Sequence, residues 1–532
     1  IDAGAGGGGG GGSGGSTPGP DGGAGSGGAG GSGGGAGGSG GSGGGPMTPI
    51  PVTGVVVDKP NVRQGETGIN ATITATMGGL TSPTNIDIGG MTGCRGSVQD
   101  GATDTMFVVR ITCPHGTALG PKDLKFQTAK GVGSYPMIIT VTPISVAPTG
   151  MDTNRGTSDS PFRSFKKALS VADKGDTIDL KDGMYDKDNG EDFKDPIPSG
   201  VIIQGQSAAG TKLIGPSDTS IAVDGIHLRE SGPLTVKNVS FGFFNRGVYL
   251  DKTGDLTLEN VKVTRSRQQG VYIYYTQGEG SKVNWTGDES EISDSGYQAV
   301  LIYSKDVVFN YKSKGVISTT GGTVFTVSAD NTTLNLENTT LTSSMMMPQA
   351  QALSVSNGPA MGHKVTLTNV TLNGQSDING KDKTTVTITG STFNLPSTSG
   401  GTMLDFSVLT MNISKTVFNG GGTHLRVASG EITIRDAKFK DYYYYGIQIS
   451  TAKKLDLGNM TAPGNCEFTP NAAYGSSYAI YDQRASDPNP ITLRDAQVNG
   501  NLIPAATYEG PGMQGPPKSF YIQTAKNQIV VY

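Results

Sequence analysis

Charged residues are scarce in this chain: they make up 16% of its 532 residues, and the net charge is −4 at pH 7. A balance so close to neutral gives no electrostatic basis for binding nucleic acid. Long apolar runs are lacking too, since none approaches the roughly 20 residues that a membrane-spanning helix needs. The sequence therefore favours neither a nucleic-acid-binding protein nor a helical membrane protein.

Cysteine is also rare, with three residues in the whole chain. Cys94 and Cys113 lie close together in the sequence, and we expect them to form a disulfide, which would suit an exported protein. Cys466 lies far from both and is predicted to be a free, buried thiol. The first residue is Ile1 rather than methionine, which we interpret as the result of an export signal already removed.

Glycine, by contrast, is abundant, and much of it falls within residues 5–45. This opening segment has almost no apolar side chains to bury, so it cannot offset the conformational entropy that folding would cost. Residues 1–49 are therefore predicted to be a disordered tether rich in Gly and Ser.

Residues 50–145 contain short stretches in which apolar and polar residues alternate, separated by Gly, Pro and Asp turns. Two examples are "INATITATM" and "MFVVRITC". This spacing predicts a small β-sandwich. The segment resembles the immunoglobulin-like domains of bacterial surface proteins, which implies a spacer or presenting role.

One short strand pattern recurs along the rest of the chain. "LTVKNVSF" (234–241) is followed by "LTLENVKV" (256–263), and related copies continue through "LDLGNMTA" (455–462) to "ITLRDAQV" (491–498). The copies recur at roughly 22–27 residues, a period that indicates a solenoid. Apolar residues alternate with a period of two, so the repeating unit is a strand.

Each copy bends at its middle residue, which is usually Asn, Asp or Gly. These residue types tolerate left-handed backbone, so we expect a positive φ at each bend. Stacked Asn side chains can also hydrogen-bond from coil to coil. The predicted bends are Asn238, Asn260, Asn338, Asn369, Gly390, Lys415, Asp436, Asn459 and Asp495.

A second strand family lies between these copies, as in "RGVYLD" (246–251), "QGVYIYY" (269–275) and "GTMLDFS" (401–407). Parallel strands stacked about 4.8 Å apart would bury each coil only against its neighbours. The predicted fold class is all-β: a right-handed parallel β-helix over residues 146–532, preceded by the small immunoglobulin-like β-sandwich.

Residues 150–185 are predicted to form a cap with a short helix over the first coil, because an open strand edge would promote aggregation. Ser160 is the expected N-cap residue, Pro161 the first helical residue, and Gly175 the end of the helix. The apolar residues of that helix fall on one face. They are Phe162, Phe165, Ala168, Leu169 and Ala172.

This segment resembles the N-terminal cap of bacterial right-handed β-helix proteins of the pectin-lyase-like superfamily. The resemblance implies a fold rather than one activity, because the superfamily includes lyases, hydrolases, epimerases and members without assigned chemistry. A tether ahead of an immunoglobulin-like module is also similar to the layout of bacterial exported lipoproteins. The matching cap residues are Gly150, Asp152, Asn154, Gly156, Thr157, Pro161, Phe162, Ala168, Leu169, Gly175, Asp176, Thr177, Ile178, Gly183 and Tyr185.

Stacked coils should place equivalent outward residues in columns. Met403 and His424 are expected in one outward column, beside a longer column whose members come from several coils. Asp405 and Arg426 in the longer column are weak catalytic candidates, although a surface salt bridge worth under about 1 kcal/mol explains them as well. The carboxylate cluster that a lyase or hydrolase would need is not visible. The predicted longer column contains Tyr249, Tyr272, Ser354, Asp405, Arg426, Gln448 and Tyr481.

The acidic stretch "YDKDNGED" (185–192) has a weak similarity to a calcium-binding loop. Asp186, Asp188 and Asp192 are its candidate metal ligands, but the full spacing and the terminal Glu of such loops are missing. A solvated loop is the alternative. No cofactor is expected other than a possible calcium ion.

Tyrosines cluster on the early coils, with arginines at the adjoining turns. Exposed aromatic rows beside arginine can stack against sugar rings or anchor a protein partner. High β propensity alone could also explain the tyrosines. The candidate binding residues are Arg246, Tyr249, Arg265, Arg267, Tyr272, Tyr274, Tyr297 and Tyr303.

Together these patterns predict an exported, non-catalytic bacterial protein, tethered at the outer cell surface, that binds a polysaccharide or a surface protein. A polysaccharide lyase or glycoside hydrolase acting on an extracellular glycan is one alternative. A fibre-forming structural protein that associates through the ends of the β-helix is another, with "NQIVVY" (527–532) as the associating strand.

Overall fold

Residues 48–532 form one compact unit, which is all-β with very little helix. The predicted tether, residues 1–49, lies almost entirely outside the described residues. No helix in the described part of the chain is long and apolar enough to cross a membrane. The computed structural model describes residues 47–218, 220–229, 231–275, 280–343, 351–356, 362–380, 383–396, 400–473, 476–485, 489–515, 519–524 and 527–532.

A nine-stranded, mainly antiparallel sheet precedes the solenoid. Its alternating residues enclose a separate hydrophobic core that includes Ile69, Phe107 and Phe126. Cys94 and Cys113 form a disulfide between adjacent strands of this sheet. The strands are Pro49–Ile50, Gly54–Val57, Asn61–Arg63, Thr67–Thr74, Thr84–Ile88, Cys94–Val98, Met106–Thr112, Gly120–Thr128 and Gly131–Thr142.

Polar contacts join this sheet to the first coil of the solenoid. The Gln64 side chain accepts a hydrogen bond from the backbone N–H of Thr177 at 2.7 Å, and the buried Asp176 contacts His115 at 2.5 Å.

Gly175 does not end a helix, contrary to the prediction, because the helix ends at Leu169. It lies in a left-handed turn (φ +89°), where an added Cβ would come within 3.0 Å of the Cα of Gly116.

The solenoid has three strand positions per coil, which we call face 1, face 2 and face 3 in chain order. Parallel pairing between coils connects faces 1 and 3 into one sheet and face 2 into another. Two long strands, Thr402–Ser414 and Thr423–Arg435, run continuously from face 3 into face 1. The other parallel face 1 strands are Ile144–Val146, Thr177–Leu180, Ile202–Gly205, Leu234–Lys237, Leu256–Glu259, Lys282–Thr286, Val308–Lys312, Thr333–Glu337, Lys364–Thr368, Thr385–Thr389, Lys454–Leu457, Ile491–Leu493 and Gln528–Val531.

Faces 2 and 3 complete each coil. Face 2 consists of Gly183–Tyr185, Thr211–Ile214, Ser240–Gly242, Lys262–Thr264, Glu291–Ser295, Val316–Thr319, Thr340–Ser343, Thr371–Asn373, Thr392–Asn394, Val417–Asn419, Lys438–Tyr442, Glu467–Pro470, Gln497–Val498 and Asn501–Leu502. The remaining parallel strands of face 3 are Ile226–Leu228, Val248–Leu250, Val271–Ile273, Val300–Ile302, Phe325–Val327, Gln351–Ser356, Gln375–Asn379, Tyr445–Ile449, Tyr478–Asp482 and Phe520–Ile522.

The bends follow the predicted residue types with one exception. Eight of the nine predicted positions have φ between 51° and 61°, and Asn260 Nδ2 donates to Asn238 Oδ1 at 3.2 Å. Asn459 was wrong. Residues 458–464 form an inserted turn, so the bend falls instead at Asn465, which has φ 49° and donates to Asp436 Oδ1 at 2.9 Å. Insertions also widen the coil spacing, which ranges from 21 residues (Asn373 to Asn394) to 40 residues (Ile480 to Phe520).

The short helix begins later than predicted. It spans Phe165–Leu169, and its N-cap is Ser164 rather than Ser160. Phe162 pairs with Val146 in an isolated parallel bridge, so residues 161–162 are extended and cannot begin a helix. Asp152 accepts hydrogen bonds from the backbone and hydroxyl of Ser164 at 2.9 and 2.8 Å. A 3-10 turn, Lys187–Asn189, follows.

The C-terminal strand is not a free edge. Gln528–Val531 pairs in parallel with Ile491–Leu493 on one side and antiparallel with Ala506–Glu509 on the other. Gly512–Gln514 likewise runs antiparallel to Phe520–Ile522. The predicted associating strand is therefore already paired on both sides, and reversed strands cover this end of the stack.

Candidate functional site

A single outward column runs the length of face 3. Its members pair in register from coil to coil, while their strand neighbours, such as Val248 and Leu250, are buried. All seven residues predicted for this column are in it. The column is His227, Tyr249, Tyr272, Leu301, Thr326, Ser354, Asp377, Asp405, Arg426, Gln448, Tyr481 and Tyr521.

Four tyrosines at the N-terminal end of this column form a cluster, which we call the tyrosine ladder: Tyr249, Tyr272, Tyr274 and Tyr303. The rings of Tyr249 and Tyr272 are stacked, with 5.4 Å between their centroids and 12° between their planes. Those of Tyr272 and Tyr274 are also stacked, with 5.8 Å between centroids and 1° between planes. Tyr303 meets Tyr272 and Tyr274 edge-on. Tyr274 and Tyr303 are 44% and 50% exposed, respectively. The ladder therefore offers aromatic surface to solvent.

Arg246 supports the ladder from one end. Its guanidinium carbon lies 3.6 Å from the centroid of the Tyr249 ring. Two nitrogens of the same group donate to both oxygens of Asp224 at 2.8 and 2.7 Å. The ring centroids of His227 and Tyr249 are 4.7 Å apart, and Nε2 of His227 lies 2.8 Å from Oδ2 of Asp251. This network holds Tyr249 in one orientation.

Partial burial raises the pKa of both Tyr249 and Tyr272. Their phenols are therefore neutral at physiological pH and can donate as well as accept hydrogen bonds. Such rings combine an apolar face with a polar end, which is the combination that a sugar ring also has.

The structure brings together only part of the predicted binding set. Arg265 lies over Phe243, and Arg267 donates to the backbone carbonyls of Asp218 and Ile221. Both arginines follow a face 2 strand, where they support a neighbouring loop rather than the ladder. Tyr297 is 57% exposed and also follows a face 2 strand.

A polar pocket of about 280 Å³ lies further along the same column. Asp405 and Arg426 form the predicted ion pair at one side of it. Asp377 pairs in register with Asp405, so two carboxylates stand side by side. Burial, and then the charge of Asp405, raise the pKa of Asp377, against the opposing effect of Arg426. The pocket is lined by Gln351, Gln375, Ser376, Asp377, Gly401, Thr402, Asp405 and Arg426.

The prediction of a single carboxylate here was wrong, because the strand Gln375–Asn379 was missed. Its sequence, "QSDIN", has Ser376 at a buried position where the face 3 strands before and after it carry Leu353 and Leu404. The alternating pattern is therefore weak. The inward Ile378, one coil after Val355, was the available sequence signal.

Met403 and His424 do not point outward as predicted. Both are buried, because each lies at the start of its strand, where consecutive residues are buried: Met403 with Leu404, and His424 with Leu425. His424 packs between Phe418 and Phe439, and burial lowers its pKa to about 3. It is therefore a neutral core residue.

The acidic stretch 185–192 does not gather its carboxylates. Asp186 accepts the backbone N–H groups of Asp188 and Asn189, and Asp192 pairs with Lys166 at 2.7 Å. Within the described ranges, no group of three or more His, Cys, Asp or Glu residues could hold a metal ion. Asp186 and Asp192 instead have structural roles.

Glu191 connects this stretch to the short helix. Its two carboxylate oxygens accept the backbone N–H groups of Phe165 and Lys166 at 2.5 and 2.9 Å. Burial raises the pKa of Glu191 to about 7. The two N–H donors oppose this rise, and the charges of Asp152 and Asp192 add to it.

Stability should therefore depend on the protonation of Glu191. The unfolded chain releases this proton near its ordinary pKa of 4.5 and the folded chain near 7. Because the folded state holds more protons in that window, the free energy of unfolding should fall as pH rises from 4.5 to 7, by on the order of 3 kcal/mol. Urea unfolding across this range measures the fall, and Glu191→Gln should flatten it. An equal fall in the Gln variant would contradict this assignment.

Comparison with known proteins adds little about function. Residues 148–322 match the family profile described as "Protein of unknown function (DUF1565)". No curated protein matches the chain. XylC in complex with xylose aligns at 9% identity over 73% of this chain and 95% of its own, with a TM-score of 0.31. A rhamnogalacturonan lyase aligns at 12% identity over 66% of this chain and 74% of its own, with a TM-score of 0.15.

A Family 28 exopolygalacturonase of Yersinia enterocolitica aligns at 10% identity over 84% of this chain and 95% of its own, with a TM-score of 0.18. At these identities and TM-scores, neither the substrate nor the chemistry of the three proteins is carried over to this chain.

Proposed function

We propose that the solenoid binds a polysaccharide along the outward column of face 3, with the tyrosine ladder as its anchor. The observation that supports this most is the stacked and at least partly exposed set of Tyr249, Tyr272 and Tyr274, held at one end by Arg246. Flat aromatic faces bind the apolar faces of sugar rings, while the phenol groups and the polar pocket bind hydroxyls.

Pre-organisation makes the ladder suited to binding. Arg246 is fixed by both oxygens of Asp224, so Tyr249 loses little freedom when a ligand arrives. A binding site that is already ordered avoids the cost of immobilising side chains. Tyrosines placed on the surface by β propensity alone would not need this support.

The wider organisation belongs to the same proposal. The β-helix is right-handed with an N-terminal cap, and the nine-stranded sheet is an immunoglobulin-like spacer. The protein is exported and attached at a bacterial surface by residues 1–49. The glycine content of residues 5–45 and the Cys94–Cys113 disulfide support this layout. A surface protein is the alternative partner for the ladder.

Binding is tested with the full chain and a panel of soluble polymers: polygalacturonate, arabinoxylan and mixed-linkage β-glucan. Each is titrated calorimetrically, with and without calcium. We expect at least one polymer to bind, and we expect calcium to have no effect because no metal site is part of the proposal. Absence of binding to every polymer would contradict the proposal.

A second candidate function, glycoside hydrolysis, is favoured by one observation: Asp377 and Asp405 stand side by side in the polar pocket. A carboxylic acid with a raised pKa can protonate the leaving oxygen of a glycosidic bond, while a second carboxylate assists the attack of water. Asp377 has the character of the acid.

Hydrolysis is tested by incubating the full chain with the same polymers and measuring reducing ends. Unsaturated products, measured in the same samples, would indicate a lyase. Turnover that Asp377→Asn and Asp405→Asn each abolish, while the polymer still binds at the ladder, would establish the second function. Binding without turnover would leave the first function alone.

A further inference from the structure

A second group of tyrosines lies on the C-terminal coils of face 3. We call it the C-terminal cluster: Tyr445, Tyr478, Tyr481 and Tyr521. The rings of Tyr445 and Tyr481 are stacked, with 4.4 Å between their centroids and 20° between their planes. The ring centroids of Tyr481 and Tyr521 are 5.1 Å apart. All four side chains are partly exposed. The cluster is thus a second aromatic surface on the same side of the solenoid.

Two members of each aromatic group belong to one column, Tyr249 and Tyr272 at one end and Tyr481 and Tyr521 at the other. Tyr481 and Tyr521 are outward residues in register with Gln448, Arg426 and Asp405. Eight parallel steps separate Tyr272 from Tyr481. At about 4.8 Å per step, the distance between them along the stack is about 38 Å.

The surface between the two groups is suited to a ligand that runs along it. Thr326 and Ser354 have short side chains next to the ladder, and the polar pocket with Asp377 and Arg426 follows. Hydroxyl, carboxylate and guanidinium groups all hydrogen-bond to sugar hydroxyls. Aromatic surfaces at both ends with polar groups between them match an extended chain of many sugar units.

We propose that the C-terminal cluster is a second subsite for the same polysaccharide, so that the preferred ligand is a linear chain with an extended length of at least about 40 Å. This inference rests on the proposed function of the tyrosine ladder. A chain that reaches both groups binds the second one intramolecularly, which raises its apparent affinity above that of either group alone. Shorter chains bind at one group only.

The test compares size fractions of polygalacturonate, arabinoxylan and mixed-linkage β-glucan, with extended lengths below and above 40 Å. For the wild-type full chain, we expect the long fractions to bind at least tenfold more tightly than the short ones. The double substitution Tyr481→Ala and Tyr521→Ala should abolish this gain and leave affinity at the ladder unchanged. Tyr532→Ala, which removes an exposed tyrosine outside both groups, should leave the gain intact.

Three results would overturn the inference, and they are separable. Equal affinity for short and long fractions, or a gain that persists in the double variant, contradicts the second subsite while the ladder stands. No binding of any fraction contradicts the proposed function itself. If the alanine variant unfolds at a lower temperature than the wild type, Tyr481→Leu retains apolar packing without the ring and gives the same comparison.

Discussion

Replacing both Tyr249 and Tyr272 by alanine is expected to weaken polysaccharide binding about a hundredfold. Their stacked rings form the centre of the ladder, with Arg246 over one face. Removing one well-ordered aromatic anchor costs about 1.4 kcal/mol or more, which is a tenfold change in affinity, so two anchors give about a hundredfold. Calorimetric titration with the polymer of the panel that binds wild type measures the loss.

Tyr297→Ala is the matched control for this variant. Tyr297 has a side chain of the same size and is more exposed than Tyr249 and Tyr272, but it follows a face 2 strand and lies outside the ladder. Its removal should change the affinity less than twofold. If Tyr297→Ala weakens binding as much as the double variant does, or if the double variant binds like wild type, the ladder is not the anchor.

Trp285→Ala is expected to lower the free energy of unfolding of the solenoid by about 4–5 kcal/mol. Trp285 is completely buried, its ring packs 5.8 Å from Tyr311, and its Nε1 donates to the carbonyl of Val261 at 3.1 Å. The substitution leaves a large cavity and removes one of the two hydrogen bonds that the Val261 carbonyl accepts, the other coming from the backbone N–H of Glu291. Each of these losses destabilises. Scanning calorimetry should show a lower unfolding temperature.

Trp285→Phe separates these two causes. The ring is largely retained, so most of the cavity is filled and the loss should be less than half that of the alanine variant. A loss below 1 kcal/mol for Trp285→Ala would show that neighbouring coils collapse around the gap. It would contradict an interior that is rigid and fully packed around Trp285.

The repeat itself was predictable from sequence because every coil meets the same steric requirement. A sharp bend needs left-handed backbone, and Asn238, Asn260 and Asn369 adopt it as expected. Lys415 has the same φ without a favourable side chain, and its position in the repeat was enough to identify it. Period-two alternation then determined which residues point outward on face 3.

Local sequence was less informative where tertiary contacts decide. Ser160 and Pro161 have good helix-start chemistry, yet the pairing of Phe162 with Val146 keeps them extended. Asn459 matches the repeat motif, but the inserted turn moves the bend to Asn465. In both cases a contact with a neighbouring segment overrides the local preference.

The candidate site was predictable as a column but not as a set of contacts. Register alone places Tyr249, Tyr272, Asp405 and Arg426 on one line. The support of the ladder by Asp224 depends on a turn residue of the preceding coil, which carries no repeat signal. The polar pocket depends on Asp377, whose strand has too few apolar residues to be recognised.

Hydroxyl-radical footprinting of the full chain, with and without the polymer that binds, tests the central claim most directly. The account predicts protection of the ladder at Tyr249, Tyr272 and Tyr274, with Tyr297 and Tyr532 oxidised equally in both samples. Protection that falls on face 2 or on the nine-stranded sheet, with the ladder unprotected, would contradict binding along the outward column of face 3.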